Sequence, residues 1–372
     1  MAGAVPDIPG VKAPPEGARE ISLEIMRLLG RHSPKFPGAQ PVSFARQHLE
    51  HALLDEDYFV CEKSDGLRCL MFLSSLNGEE RTYLITRKNE VFWIPDLHVP
   101  LTETDPSSFH VNGTLIDGEL VRTQDGRLKY LMFDLLAHNG KSLVERVLDS
   151  RLGYLKSGVF KPFQALVAKY PEDTQNFPFK IYMKAMELSY GLEKVLKARL
   201  THLSDGLIFT SRRQPYIFGT DPHILKWKPP NENSVDFVLE MEFNEYEDPS
   251  SGEKWLDYDS VPQCNLLAWH GGSQDLPFGH MYLENDEWEK LKALGEPLNR
   301  RVVECIMDDT GRWRFLRFRD DKDHGNHIDT VESVMESIQD HITEKDLLNS
   351  VETIRDAWHD RQEQPSAKRL KT

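Results

Sequence analysis

The run Lys63-Ser64-Asp65-Gly66-Leu67-Arg68 is the sharpest chemistry-bearing feature of the sequence, set between two stretches that read as strands. A lysine attacks as a nucleophile only in its neutral form, so its surroundings must lower its pKa, and Arg68, Arg87 or a metal ion would do so. Gly66 would let the backbone approach a bound nucleotide closely, and Arg68 offers a fork of donors for sugar or phosphate oxygens. Alone, the run is also ordinary turn chemistry: Asp-Gly favours a β-turn, and the flanking cations would simply be solvated.

Further constellations follow. Leu115-Ile116-Asp117-Gly118-Glu119-Leu120 puts Glu119 at a strand start, where a carboxylate can hold ribose hydroxyls or a metal, and Asp205-Gly206-Leu207-Ile208-Phe209 presents a second acid in the same setting. Lys226-Trp227-Lys228 places two cations on one strand face with the tryptophan on the other, which suits a phosphate chain. Arg317 and Arg319 likewise share a face, with Asp321-Lys322 following. Alternation on a half-exposed strand accounts for any one of these, and not readily for all five together.

Net charge is −15, the wrong sign for a general basic surface that coats nucleic acid, so an anionic substrate must meet local cations. Lys63, Arg68, Arg87 and Lys88 form one such group, Lys226 and Lys228 another, and Arg312, Arg314, Arg317, Arg319 and Lys322 a third. Hydrophobic residues at 39% and charged residues at 28% describe an ordinary globular protein. No apolar run is long enough to span a membrane, and the opening segment with Pro6, Pro9, Pro14 and Pro15 lacks the apolar core of a secretory signal, so an intracellular address is expected. Cys61, Cys69, Cys264 and Cys305 form no C-x-x-C pair and are expected to be reduced, buried thiols.

The elements that must position these residues begin with Ile21, Ile25 and Leu28 at helical spacing before Gly30. A second helix is expected from Ser43, with Leu49, Leu53 and Leu54 on its apolar side. Strands are expected at 58–61, 68–73, 82–86, 114–122 and 129–135, with helices at 145–156 and 190–200. Lys228-Pro229-Pro230-Asn231 cannot continue a strand and marks a boundary. Beyond it, strands at 235–243, 266–269, 302–307 and 313–319 and a helix at 286–294 suit an OB-type barrel. The chain therefore reads as α+β: a larger domain with antiparallel sheets over 1–230, a barrel over 231–325, helices packing on the domains over 326–362, and a basic flexible tail over 363–372. Val331, Val334, Met335 and Ile338 form one helical stripe, and Leu347, Val351, Ile354 and Trp358 another after a Thr343 cap. Pro365-Ser366-Ala367-Lys368-Arg369-Leu370-Lys371 resembles a nuclear-import signal.

In this order the motifs resemble the covalent nucleotidyltransferase superfamily of mRNA capping guanylyltransferases and ATP-dependent nucleic acid ligases, and within it the fungal mRNA guanylyltransferases. The resemblance runs from about Pro37 to Asp323. It implies an ATP-grasp/ligase-like nucleotidyltransferase domain followed by an OB-fold barrel that closes on the nucleotide. Lys63 resembles the nucleophile that accepts GMP; Arg68 and Glu119 match ribose-contacting positions, Arg87 a phosphate contact, and Phe133 the aromatic stacked on guanine. Lys184 resembles the lysine that reads the guanine edge, Asp205 a metal-associated acid with Glu119 a second candidate ligand, and Lys226 and Lys228 the phosphate-binding pair. Asp236, Arg317, Arg319, Asp321 and Lys322 match positions that orient the leaving pyrophosphate.

Three details favour a capping enzyme over a ligase: the segment 36–43 ahead of the nucleophile, Asp205 where DNA ligases usually carry Glu, and Lys226-Trp227-Lys228-Pro229-Pro230. The resemblance implies GTP as substrate, Mg2+ or Mn2+ as cofactor, a 5′-diphosphate RNA acceptor, a separate RNA 5′-triphosphatase, the phosphorylated C-terminal domain of RNA polymerase II as partner, and a nuclear location. The alternatives are an ATP-dependent polynucleotide ligase and a non-catalytic docking module for the phosphorylated polymerase tail.

Overall fold

A computed structural model describes residues 6–363; Glu363 ends helix Val351–Glu363, and the rest of the expected basic tail lies outside the described residues. The chain forms two compact units. The first holds residues up to Val42, His48–Trp227 and the chain from Leu347; the second holds Ser43–Gln47 and Lys228–Asp346.

Strands of the first unit are β1 (Val11–Lys12), β2 (Ala39–Ser43), β3 (Tyr58–Ser64), β4 (Leu67–Leu76), β5 (Glu79–Thr86), β6 (Val91–Trp93) and β7 (Thr114–Arg122). They continue with β8 (Leu128–His138), β9 (Lys141–Ser142), β10 (Lys180–Met183), β11 (Glu187–Leu188), β12 (Ser204–Ser211) and β13 (Gly219–Trp227). One sheet runs β1-β6-β5-β4-β7-β8-β10, with β9 attached to β8, and a second runs β11-β3-β12-β13-β2. Asn77 and Gly78 both take positive φ, the geometry of a two-residue hairpin turn, and so join β4 directly to β5. Along β4 the alternation is strict. Cys69, Met71 and Leu73 enter one buried cluster with Phe163 and Phe179, while Leu70 and Phe72 enter another with Ile25 of helix Pro15–Leu28 and its C-cap residue Leu29.

In the second unit, β14 (Ser234–Glu242), β17 (Gln263–Trp269), β18 (Asp275–Tyr282), β19 (Val302–Met307) and β20 (Trp313–Phe318) close a barrel in the order β14-β17-β18-β20-β19. β18 and β20 pair in parallel, with helix Asn285–Lys292 connecting β18 to β19, which is the Greek-key arrangement of an OB barrel. β15 (Glu245–Glu247) and β16 (Lys254–Leu256) form a separate hairpin. Val331 and Val334 of helix Ile328–Asp340 join the barrel's core. Thr343 and Asp346 exchange hydrogen bonds as a reciprocal cap on helix Glu344–Asn349.

Several expectations are corrected. Ser43 ends β2 rather than opening a helix; the helical segment begins at Arg46, because Pro41 and Val42 suit an extended edge strand. The helix expected at 145–156 begins at Leu148 and continues through a π-turn to Lys169. The one expected at 190–200 shrinks to a short 3-10 turn and Leu192–Leu196. The sheets are not wholly antiparallel, since β10 pairs with β8 in parallel after its helical crossover. Glu119 lies within β7 rather than at its start, because Gly118 occupies a strand position where any Cβ would come 2.4 Å from the Tyr130 ring. Among the described residues, no helix is long and apolar enough to cross a membrane. All four cysteines are buried and free, and burial pushes the Cys61 and Cys264 thiols up to about 11.

His110 is 1% exposed, its Nδ1 2.7 Å from the Thr114 hydroxyl and its ring edge-on to His138. Burial, aided by His138, pushes its pKa from 6.5 down to about 3. The unfolded chain binds a proton here below pH 6.5 that the folded chain refuses until about pH 3, so stability is lost as pH falls through that window. Urea unfolding between pH 6.5 and 4.5 should show a slope shallower in His110→Gln by one proton, about 1.4 kcal/mol per pH unit. Parallel slopes would show that His110 is not the group responsible.

Candidate active site

The two sheets of the first unit enclose a pocket lined by Lys63, Arg68, Arg87, Glu119, Phe133 and Lys184, together with Ser64, Asp117, Asp134 and Tyr216. Six expected site residues, separated by up to 121 positions in sequence (184 − 63), therefore meet in one cavity.

Lys63 sits near the end of β3, with its Nζ 2.6 Å from Asp205 Oδ1. Asp205 reaches it because β12 bulges between Ser204 and Leu207, where Gly206 takes φ +147, a conformation that side-chain-bearing residues rarely adopt. The nearest charged partner of Lys63 is thus an anion, where the sequence had suggested a cation. Gly66 also differs from expectation: a Cβ there would lie 2.5 Å from the Leu120 carbonyl, so its need for glycine comes from the approach of β7.

Arg68 is held rigidly. Its Nε and Nη2 donate to the two oxygens of Asp117 at 3.0 and 2.6 Å, its Nη1 donates to the Ala39 carbonyl, and the Tyr216 hydroxyl donates to Asp117 at 2.6 Å. The guanidinium lies 5.5 Å from the centre of the Phe133 ring. Glu119 stands directly opposite Arg68 in register, yet among the described residues its carboxylate accepts no hydrogen bond. Burial pushes its pKa up, against the pull of Lys184, Lys63, Arg68 and Arg87. An acceptor so placed, surrounded by cations and lacking a donor, is suited to hydroxyls of a ligand.

Lys184 is buried, donating to Ser64 Oγ at 2.8 Å with Glu62 at 3.7 Å; His202 completes the group, its Nε2 3.4 Å from Glu62. Asp134, which follows Phe133, is clamped by both arms of Arg151 at 2.7 and 2.8 Å and so fixes the bulged stretch of β8 that carries the ring. Sequence alone does not single out Asp117, Glu62, His202, Asp134, Arg151 or Tyr216 as site residues. Asp117 and Asp134 carried a signal, as the acids adjoining Gly118 and Phe133 in motifs already noted.

Lys226 is opposite Ile208 on β13, and Ile208 and Ile224 line the pocket, so Lys226 shares the pocket-facing side of its sheet without being among the lining residues. β13 ends at Trp227, which is buried, and Lys228 lies beyond it in the second unit, so the two lysines are not a pair on one strand face. In that second unit Arg319 Nη1 reaches Asp236 at 3.1 Å, Lys322 also pairs with Asp236, and Arg319 clamps Asp321, whose carboxyl it holds down to about 2. Arg317 bonds Glu304 at 2.6 Å, a buried acid not anticipated from sequence. Among the described residues, no three His, Cys, Asp or Glu side chains gather as a metal site. Asp205 and Glu119 are hard oxygen donors of the kind that bind Mg2+ or Mn2+ jointly with nucleotide phosphates.

Two carboxylate changes should separate bracing from binding. Asp117→Asn leaves the Arg68 guanidinium buried without its counter-charge and is expected to lower unfolding free energy by about 3 kcal/mol or more. Glu119→Gln removes a desolvated charge whose raised pKa makes it a stability cost at neutral pH, so urea unfolding should show no loss there while nucleotide use falls. Equal destabilisation by both would contradict this division of roles.

Residues 4–230 match the family model "mRNA capping enzyme, catalytic domain" and residues 232–348 match "mRNA capping enzyme, C-terminal domain". The chain is 48% identical to the mRNA-capping enzyme subunit alpha of Yarrowia lipolytica, covering 98% of this chain and 94% of that one. It is 42% identical to the Schizosaccharomyces pombe protein of the same name, covering 97% and 91%. A solved ATP-dependent DNA ligase from bacteriophage T7 aligns at 14% identity over 76% of this chain and 98% of that one with a TM-score of 0.36, a likeness that decides nothing further. On the two family matches and the near full-length relatives, the chain belongs to the mRNA capping enzyme family.

Proposed function

We propose that this chain is an mRNA guanylyltransferase that moves GMP from GTP, through a phosphoramidate on Lys63, to the diphosphate end of RNA. One observation carries the reading above all: Lys63 Nζ opens into a pocket with an unbonded Glu119, a braced Arg68, the Phe133 ring and a buried Lys184, while Asp205 waits 2.6 Å away.

In the first step Lys63 gives its proton to Asp205, and the freed amine attacks the α-phosphorus of GTP in line. The N–P bond forms as the nitrogen releases its second proton, the bond from the α-phosphorus to the bridging oxygen breaks, and pyrophosphate leaves carrying that proton. Glu119 accepts hydrogen bonds from ribose hydroxyls, Arg68 and Arg87 face sugar and phosphate oxygens, guanine stacks on Phe133, and Lys184 donates to its edge. A divalent metal on Asp205 and Glu119 would neutralise charge on the triphosphate. In the second step a terminal β-phosphate oxygen of the RNA attacks the same phosphorus, the P–N bond breaks, and Lys63 regains its proton. Lys226, Lys228, Asp236, Arg317, Arg319 and Lys322 serve the phosphates and the leaving pyrophosphate.

The same reading takes as partners a separate RNA 5′-triphosphatase and the phosphorylated C-terminal domain of RNA polymerase II, and as location the nucleus. The relatives' shared designation, subunit alpha, supports a role alongside another subunit.

Incubation with α-labelled GTP and a divalent metal, followed by denaturation, should leave an acid-labile, alkali-stable label on the parent protein and none on Lys63→Ala. Label acquired from ATP in place of GTP would move the assignment to a ligase, and label retained by Lys63→Ala would remove the nucleophile.

A further inference from the structure

The register of the larger sheet carries the catalytic face beyond the pocket. Arg68 on β4 is opposite Glu119 on β7, Glu119 is opposite Leu131 on β8, and Leu131 is opposite Tyr182 on β10. Directly opposed residues point to the same side of a sheet, so Tyr182 lies on the face that bears Arg68 and Glu119. Two strand spacings separate Tyr182 from Glu119, roughly 10 Å. In the adjoining row Val121, Lys129 and Lys180 are likewise opposed, so both lysines share that face. β10 is the last strand, and its row opens onto a surface cavity bounded by Arg127, Lys129, Lys180, Tyr182 and Thr201.

The chemistry of this edge is unusual for a chain of net charge −15. Tyr182 is 40% exposed, with Lys129 Nζ 5.2 Å from its ring centre and held by a hydrogen bond of 2.8 Å to Thr201 Oγ1. Neither Lys129 nor Lys180 forms an ion pair among the described residues, and of the cations there only Arg127 has a carboxylate, Asp125, at 3.0 Å. The loop beneath is stitched to the nucleophile's own segment: Gln124 N bonds Thr201 O, His202 contacts Ser64 Oγ at 3.2 Å, and Asp65 N bonds Leu203 O. An exposed aromatic flanked by uncompensated cations is what a single-stranded nucleic acid needs, a ring for a base and positive charge for phosphates.

We infer that Tyr182, Lys129 and Lys180 form a platform for the first nucleotides of the acceptor RNA, holding the strand while its terminal phosphate meets Lys63. The inference rests on the guanylyltransferase reading. Cations alone would hold a phosphorylated peptide as well; the ring, and its alignment with the row of Arg68 and Glu119, favour RNA.

Tyr182→Leu and the double change Lys129→Gln with Lys180→Gln test it in the full chain. Both variants should take label from α-labelled GTP as the parent does, while KM for a diphosphate-ended RNA decamer rises roughly ten-fold in each with kcat held. For the double variant, the slope of log KM against log salt should fall by about 1.4, two cations at about 0.7 each. Anisotropy titration of a fluorescent RNA decamer should rank the proteins in the same order without turnover. A parent that takes no label would therefore sink the guanylyltransferase reading separately, with the platform still judged by RNA affinity. Unchanged KM and RNA affinity in both variants would overturn the platform, as would lost affinity for a phosphoserine peptide with RNA affinity intact.

Discussion

Lys63 cannot form a bond to phosphorus while its nitrogen carries three protons, and the group placed to take one is the Asp205 carboxylate at 2.6 Å. That contact spans two strands, β3 and β12, and depends on a bulge at Gly206 that turns Asp205 out of regular pairing toward the amine. Regular pairing through residues 204–207 would leave Lys63 without that acceptor. The local irregularity therefore decides whether Lys63 has a carboxylate partner or stands as an isolated cation.

Around this pair the pocket solves the problem of gathering several cations out of water. Lys63 has Asp205, Arg68 has Asp117, and Lys184 has Glu62 and Ser64, so like charges are separated by built-in acids. Buried pairs of this kind contribute little net stability, but removing one member leaves an uncompensated charge and is costly. Arg87 and Glu119 are the exceptions, since neither forms an ion pair among the described residues. On the guanylyltransferase reading both await a ligand, and Glu119 bears the desolvation in its absence, which is how a preorganised electrostatic site works.

The barrel repeats the pattern with different partners. Asp236 holds Arg319 and Lys322, and Glu304 holds Arg317 with help from the Ser234 hydroxyl at 2.5 Å. Grouped cations would repel one another if left bare, and two buried acids on β14 and β19 keep them together.

By itself the sequence determined the residue types of the chemistry and the strands that carry them: Lys63 after an apolar run, Glu119 in a β-rich segment, Phe133 beside Asp134, and the strands at 114–122 and 302–307 with their observed bounds. Periodicity and turn chemistry are local properties, so they survive without knowledge of the fold. Tertiary structure alone decided what each charged group faces. The partnership of Lys63 with Asp205 joins positions 142 apart, that of Lys184 with Ser64 positions 120 apart, and neither spacing has a local signature. The same holds for the glycines: Gly118 reads as part of a strand from sequence, but only the Tyr130 ring packed over it shows why no Cβ fits there, and the bulge at Gly206 that turns Asp205 toward Lys63 depends on a neighbouring strand.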